Sequence, residues 1–325
     1  MASDEEPKMD GKATLRERER ERERWSVFGL IALSHIIFRI IYYDDIVPNT
    51  YHAKVGGGIA SLDRGIWYLK QYTSDAIPLI TAAVFSIILL LRKGSELQRK
   101  VAFIAILFLV VNLSYVVYIG GDFKPTHRFF VLPSGIMAGI AGAGLSYALT
   151  LFKRRSAQVF IIAFLILSAA QLLISGSSVR QFAAWRRSVL PVHVEAGRWL
   201  AANYPDSTLI ATGNAGVIPF ESGLPCIDMH GLCDRQIASR PIAEMGMGLP
   251  GHEKGDGLYV LSRRPDIILF MKMRFTDYPA TESDVAGNLF GLSEFEIWGN
   301  PVFHQNYHLK TAQLGSKYFN YYEKI

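Results

Sequence analysis

Residues 101–119 read VAFIAILFLVVNLSYVVYI and contain no charged side chain. An α-helix needs about 20 predominantly apolar residues to cross the hydrocarbon core of a bilayer. Half of the 325 residues are hydrophobic, and these residues cluster in long runs rather than spreading evenly along the chain. The sequence therefore predicts a membrane protein with an all-α bundle.

Four more apolar stretches lie on either side, at residues 25–43, 77–91, 129–152 and 159–174. The first contains Arg39 about one turn from its end, where a long cationic side chain can reach the membrane surface. In the fourth, Gly135 and Gly139 form a GxxxG pair, which is typical of a helix-packing face. We therefore expect about five transmembrane helices.

Lysine and arginine predict the orientation of these helices. They concentrate in the tail at residues 1–24 and in the turns at residues 92–100 and 153–155, which all fall on one side of the bilayer. Basic residues near span ends mark the cytoplasmic side. We therefore expect a multi-pass protein of the plasma (inner) membrane with a cytoplasmic amino terminus. The net charge of +5 then needs no nucleic-acid partner, and each arginine of the tail has a glutamate neighbour.

The segment from residue 176 to residue 325 has the composition of a small extracytoplasmic α/β domain, following a transmembrane domain at residues 25–175. Short apolar runs at residues 208–212, 225–229 and 266–270 indicate buried strands, and residues 192–203 and 257–263 indicate helices. Such alternation predicts a small parallel sheet. Cys226 and Cys233 either form one disulfide or stay unpaired.

Residues 42–58 read YYDDIVPNTYHAKVGGG and lie in the predicted external loop at residues 44–77. Asp44 and Asp45 could supply a general base, bind a divalent cation or cap the turn. Lys54 precedes three glycines, whose backbone N–H groups can approach an anion while the lysine supplies charge. The spacing differs from that of a P-loop. The loop could therefore hold a phosphate-bearing headgroup.

A second predicted external turn, at residues 120–128, contains Asp122, Lys124, His127 and Arg128. It either anchors the chain at the interface or faces the same headgroup cavity as Asp45 and Lys54. In the outer domain, glycine-rich loops at residues 213–223, 228–235 and 251–257 are either ligand-binding loops at strand ends or plain surface turns. Metal-ligand spacing is absent from His230, His252 and Asp256, so the sequence predicts no metal and no other cofactor.

Four stretches carry a resemblance to a known family. They are FRIIYYDDIVPNTYHAKVGGG at residues 38–58, GGDFKPTHRFFVLP at residues 120–133, NAGVIPFESGLPCIDMHGLCDRQIA at residues 214–238 and GHEKGDGLYVLSRRPDII at residues 251–268. Together they resemble the carboxyl-terminal half of bacterial membrane glycosyltransferases of the GT-C superfold, such as the mycobacterial terminal arabinofuranosyltransferase and its relatives. The resemblance implies a polyprenyl-phosphate sugar as donor and an extracytoplasmic glycan or lipid as acceptor.

Carried over by position, the resemblance points to Arg39, Asp45, Pro48, Asn49, Thr50, Tyr51, Lys54, Asp122, Arg128, His252, Lys254 and Asp256. The roles are our inference. We expect donor-phosphate binding by Arg39, Lys54 and Arg128. We expect substrate binding by Asn49, Thr50, Tyr51, His252, Lys254 and Asp256. The catalytic candidates are Asp44, Asp45 and Asp122, although Asp44 stands where the family pattern has a glycine.

Family members begin with further spans, and their catalytic carboxylate lies in the first external loop. Here a charged tail occupies that place. Either Asp44 or Asp45 has taken the role of the base, or a second chain supplies the missing amino-terminal spans, or the product is inactive. The alternative function is a non-catalytic membrane scaffold or glycan-binding subunit.

Overall fold

The computed structural model describes residues 11–124, 126–151 and 154–325. The chain divides into two compact units, Met1–Pro48 and Asn49–Ile325. The first unit contains helix α1 (Gly11–Tyr43), so the described part of the charged tail continues directly into the first predicted span. Residues 1–10 of that tail lie outside the described residues. Within α1, Glu19–Tyr43 is long and apolar enough to cross a membrane.

The second unit begins with a group of helices: α2 (Asn49–Lys54), α3 (Gly58–Asp75), α4 (Ile77–Lys93), α5 (Glu96–Tyr118), α6 (Val131–Leu151) and α7 (Arg154–Asn203). The expected loop at residues 44–77 is therefore largely helical. Tyr68 and Tyr72 explain the difference, because four-residue spacing places both on one face of α3. Both rings are buried and stack on Phe130, at centroid distances of 5.1 and 4.1 Å.

Three helical segments in the described part of the chain could cross a membrane: Glu19–Tyr43, Glu96–Tyr118 and Arg128–Leu151. Helices α3 and α4 add a fourth if the pair, which bends by 86°, counts as one broken span. The prediction of five spans was therefore too high. Residues 77–91 lie on α4, which counts as a candidate span only together with α3. Residues 159–174 lie within α7, where the structure leaves several side chains undescribed. These spans indicate a membrane protein.

Helix packing between α4 and α6 occurs at a different glycine from the one predicted. A β-carbon at Gly144 would lie 2.2 Å from the Ser86 β-carbon, so the two helices approach closely there. A β-carbon at Gly135 or Gly139 would meet no atom within 4 Å in the described part of the chain. Within the described residues, the GxxxG pair therefore makes no close helix contact, and α4 approaches α6 at Gly144 instead.

The outer part of the second unit is an α/β fold, as predicted. Its helices after α7 are α8 (Val217–Ser222), α9 (Arg235–Ser239), α10 (Gly257–Ser262), α11 (Glu282–Ala286), α12 (Leu292–Trp298) and α13 (Pro301–Asn306). Its strands are β1 (Ile210–Thr212), β2 (Cys226–Asp228), β3 (Ile267–Leu269), β4 (Phe275–Thr276), β5 (Tyr307–Leu314) and β6 (Lys317–Lys324). Cys226 and Cys233 are both free thiols.

The described strands form one sheet in the order β2-β1-β3-β6-β4, with β5 paired to β6. Strands β2, β1 and β3 are parallel, as predicted, while β6 runs antiparallel to β3. Side chains alternate between the two faces of the sheet. Ile210 and Ile267 belong to a core cluster with α7 and α8, whereas Ala211 and Ile268 belong to a cluster with α9, α10 and α12. Helices therefore cover both faces of the parallel strands.

Candidate functional site

Two cationic side chains converge on one aromatic ring, that of Phe129. Lys54 is the last residue of α2, and its Nζ lies 5.9 Å from the centroid of the ring. Arg128 begins a short 3₁₀ helix, Arg128–Phe130, and its Cζ lies 5.2 Å from the same centroid. The face of an aromatic ring attracts cations. Two predicted phosphate-binding residues, 74 positions apart in sequence, thus lie close together at the start of the span Arg128–Leu151.

Asp122 is the counter-ion of Arg128. Its side chain is 1% exposed, and its Oδ2 accepts a hydrogen bond from Arg128 Nε. Its Oδ1 accepts from Arg128 Nη2 at 3.2 Å and from the Phe123 N–H at 3.0 Å. A buried carboxylate with these partners is poorly placed to take a proton from a substrate, so the arrangement argues against Asp122 as a general base.

The surroundings of Lys54 carry an excess of positive charge. Burial lowers its pKa, the charges of Arg128 and Lys124 lower the pKa further, and Asp122 raises it. Among the described residues, the charges that act most on Lys54 are thus two cations and one carboxylate. The lysine side chain rests on Gly251 in the outer domain, where a β-carbon would lie 2.8 Å from Lys54 Cε. An anionic ligand is what would balance this group.

His252 belongs to the same neighbourhood. Burial lowers its pKa, Lys54 lowers it further, and the carboxylates of Asp228 and Asp122 raise it. The ring lies edge-on to Phe123, with 5.1 Å between centroids. The turn at residues 120–128 and the loop at residues 251–257, both singled out from sequence, therefore meet beside Lys54.

Arg64 and Glu253 form a link that sequence reasoning missed. Arg64 lies on α3 and donates from Nη1 to Glu253 Oε1 at 2.9 Å and to the Gly248 carbonyl at 2.8 Å. Its Nε donates to the Gly120 carbonyl at 3.0 Å. The assignment of residues 44–77 to a loop hid this residue, because its partners lie 56 to 189 positions away in sequence.

The remaining candidates of the opening loop lie in the first unit or at the start of α2. Asp45 Oδ1 accepts from the Val47 N–H at 3.0 Å, which closes a turn, and Arg39 Nε donates to the Ile46 carbonyl at 2.6 Å. Asp44 has a positive φ of 53°. A glycine adopts this conformation more readily than an aspartate. Three further candidates, all in the first turn of α2, are Asn49, Thr50 and Tyr51.

Two predicted substrate-binding residues hold their own loop together. Lys254 is buried and its Nζ donates to the Arg240 carbonyl, while burial lowers its pKa. Asp256 caps α10 by accepting from the Tyr259 N–H at 2.9 Å. Their polar atoms are therefore used within the fold, which argues against direct contact with a substrate.

His252 also lines a cleft of about 640 Å³. It is lined by Arg240, Glu253, Phe290, Phe295 and Glu296, among others. Arg240 and Glu296 form a two-pronged ion pair with both N–O distances at 2.8 Å. The Phe295 ring is exposed. An exposed ring beside paired charged groups can receive a polar ligand with an apolar face.

The residues that the structure describes include no group of three or more histidine, cysteine, aspartate or glutamate side chains arranged to hold a metal ion. Comparison with known proteins adds one finding. Residues 180–322, which cover the end of α7 and most of the sheet, match the model of a family described as a domain of unknown function (DUF8728). No curated protein sequence and no solved structure matches the chain.

Proposed function

We propose that this chain binds the phosphate of a polyprenyl-phosphate sugar through Lys54 and Arg128. In this proposal it acts as a membrane glycosyltransferase, or as the carboxyl-terminal half of one, and the acceptor is an extracytoplasmic glycan or lipid. The observation that carries the proposal is the convergence of Lys54 and Arg128 on the Phe129 ring at the end of an apolar helix. A lipid phosphate lies at the membrane surface, and the proposal puts this end of the helix at the same level.

In the proposed reaction, the oxygen of the acceptor hydroxyl attacks the anomeric carbon of the donor sugar. A carboxylate accepts the proton that this hydroxyl loses. The bond between that carbon and the phosphate oxygen breaks, and the phosphate leaves with the electron pair. Lys54 and Arg128 would stabilise the charge that develops on the leaving phosphate. Asp122 is paired with Arg128, which leaves Asp44 and Asp45, in the first unit, as base candidates from sequence alone. A second chain could supply the base instead.

The proposal places the protein in the plasma membrane with its amino terminus in the cytoplasm and the sheet domain outside. The end of α5 that leads to Gly120 would then face the exterior. The opposite end of this helix, near Lys100, lies about 35 Å away along the helix axis, since α5 has 23 residues. That length fits the thickness of a bilayer.

Binding of a short-chain polyprenyl phosphate to the full chain in lipid nanodiscs, measured by native mass spectrometry, tests the proposal. We expect Lys54→Met to weaken binding about ten-fold, because it removes a charge-assisted contact to the phosphate. Lys100→Met is the matched control, since this exposed lysine pairs with Glu96 at the other end of α5. Equal binding by Lys54→Met and the unchanged protein would refute the lipid-phosphate site.

A second candidate function is a non-catalytic membrane scaffold or glycan-binding subunit. The cleft with its exposed Phe295 ring favours it, because sugars bind to aromatic faces beside charged hydrogen-bonding groups. The variants Asp44→Asn and Asp45→Asn separate the two functions. Loss of sugar transfer with unchanged thermal stability supports an enzyme. Unchanged function of these variants in the cell supports the scaffold.

A further inference from the structure

Arg274 is a buried cation that lies over the Phe275 ring, with 5.8 Å from Cζ to the centroid, and has no ion-pair partner among the described residues. It lies in the segment that leaves the carboxyl end of β3 and crosses to β4, and it is 6% exposed. Its Nε and Nη1 are buried and form no hydrogen bond within the described part of the chain. Burial lowers the pKa of this guanidinium to about 10. An unpaired charge in a protein interior is strongly destabilising, so a group that satisfies it is expected.

Two histidines share its surroundings. His193 on α7 is 6% exposed, and its Nε2 has no hydrogen-bond partner among the described residues. His230, which follows β2, is 2% exposed. The backbone of Lys254 lies next to the His230 ring, but neither ring nitrogen forms a hydrogen bond of regular geometry in the described chain. Burial lowers the pKa of each imidazole, and the nearby charge of Arg274 lowers it further.

The charge of the Glu294 carboxylate acts on Arg274. Both carboxylate oxygens of Glu294, however, already accept hydrogen bonds from backbone N–H groups. Oε1 accepts from the Met271 N–H at 2.6 Å and Oε2 from the Phe290 N–H at 2.7 Å. No ion pair between Arg274 and a carboxylate is present in the part of the chain described. Within the described residues, Nε and Nη1 of Arg274 are therefore buried donors without an acceptor.

The position of these groups in the fold is that of a ligand site. Strand β1 lies between β2 and β3 in the sheet. The chain runs from β1 through α8 to β2, and β3 pairs with the opposite edge of β1. The helices that follow β1 and β2 pack on opposite faces, as the two core clusters show. Parallel sheets bind ligands outside the carboxyl ends of strands at such a change of direction. His230 and Arg274 both follow the carboxyl ends of parallel strands.

We propose that Arg274, with His230, binds an oxyanion, either a carboxylate or a phosphate group, at the carboxyl edge of the sheet. Arginine has a planar fork of N–H groups that matches two oxygens of such an anion. The neutral imidazole of His230 can donate one further hydrogen bond. The single N–H of neutral His193 is on Nδ1 and donates to the Val189 carbonyl at 2.9 Å, so its Nε2 can only accept and does not bind the anion. The His230 ring lies 4.9 Å from that of His252 beside Lys54, but the cation of this site is a different residue, so the inference does not depend on the proposed lipid-phosphate site.

Thermal unfolding of the full chain in nanodiscs, followed by tryptophan fluorescence, tests this inference. After dialysis into chloride buffer, the protein is titrated with sodium phosphate or sodium acetate at constant ionic strength. We expect at least one anion to raise Tm by about 3 °C at ten times its Kd. A response to phosphate assigns a phosphate group, and a response to acetate assigns a carboxylate.

Arg274→Met removes the charge at similar side-chain length. It should abolish the response to the anion and should leave Tm in chloride equal to that of the unchanged protein or higher, because an unpaired buried charge disappears. Lys54→Met should keep the full response, which separates this site from the lipid-phosphate site. The inference is overturned if no anion raises Tm of the unchanged protein. It is equally overturned if Arg274→Met keeps the response or Lys54→Met loses it.

Discussion

His193 and His230 are kept neutral by the fold. Burial lowers the pKa of each to about 4, below the value of about 6.5 for an exposed histidine. Between these two values the unfolded chain binds more protons than the folded chain. Their contribution to stability is therefore complete above pH 6.5 and is lost as the pH falls towards 4. Burial raises the pKa of Glu294 to about 7. The contribution of this carboxyl to the stability of the fold therefore has the opposite pH dependence, and it is lost as the pH rises towards 7.

We predict that His230→Leu, a change of similar volume, makes the stability of the sheet domain less sensitive to acid. Acid lowers the free energy of unfolding through groups such as His230. Removing a group whose pKa is shifted by this much reduces that decrease by about 3 kcal/mol. Tm measured from pH 4.5 to pH 7.5 should fall less steeply on the acid side than in the unchanged protein. Glu294 is present in both proteins, so the difference reports on His230. Parallel pH profiles would contradict the prediction.

Residues that interact over long sequence separations were the hardest to predict. The pairing of Asp122 with Arg128 lies within one short turn, so both residues could be singled out together from sequence. Arg64 and Glu253 are 189 positions apart, and no local pattern links them. The unpartnered state of Arg274 likewise depends on what packs around it, which a single sequence does not contain.

At the scale of elements, small side chains determine where helices approach each other. Ser86 on α4 and Gly144 on α6 are in close contact, and Ser86 Oγ also donates to the Ala141 carbonyl at 3.3 Å. Close backbone approach at small residues is a common means of helix association in membranes.

We predict that Gly144→Ala lowers the thermal stability of the helical part, because the new methyl group would overlap Ser86. Overpacking of this kind costs about 1–3 kcal/mol. Gly139→Ala is the matched control on the same helix, and it should leave Tm unchanged or higher, since its β-carbon meets open space and alanine favours helix. Thermal unfolding in the same detergent compares them. A larger loss for Gly139→Ala than for Gly144→Ala would argue against this packing.

Among the elements, the parallel strands and the apolar helices could be predicted from sequence. Each corresponds to a continuous run of apolar residues with well-defined ends. Helix α3 could not be predicted, since its glycine-rich start and polar side chains resemble a loop, and its tyrosines are buried by residues distant in sequence, such as Phe130. The pair β5 and β6 also escaped prediction, because β5 is largely exposed and carries little apolar alternation.

At the scale of the whole molecule, Arg64 joins helix α3 to both the turn at Gly120 and the outer loop at Gly248 and Glu253. The Glu253 side chain is 2% exposed, and its Oε1 also accepts from the Gly246 and Gly248 N–H groups. This cluster fixes the outer loop against the helices within the second unit.

We predict that Arg64→Gln destabilises the protein by about 3–5 kcal/mol, because Glu253 would stay buried without its cation. Hydrogen exchange should increase first at residues 246–253 and near Gly120. The double variant Arg64→Gln with Glu253→Gln is the control and should recover part of the loss, since it leaves no unpaired charge. Unchanged exchange at residues 246–253 in Arg64→Gln would show that the link does not hold the loop.

Helix α7 has 50 residues and is therefore about 75 Å long, and it packs on the sheet near its end and on α4 near its start. A rod of this length magnifies small rotations, so a tilt of about 5° at one end displaces the other by about 6 Å. Pro191 interrupts its hydrogen-bond ladder and supplies a natural pivot. A rotation about Pro191 would therefore move the sheet by several ångströms relative to the start of α7.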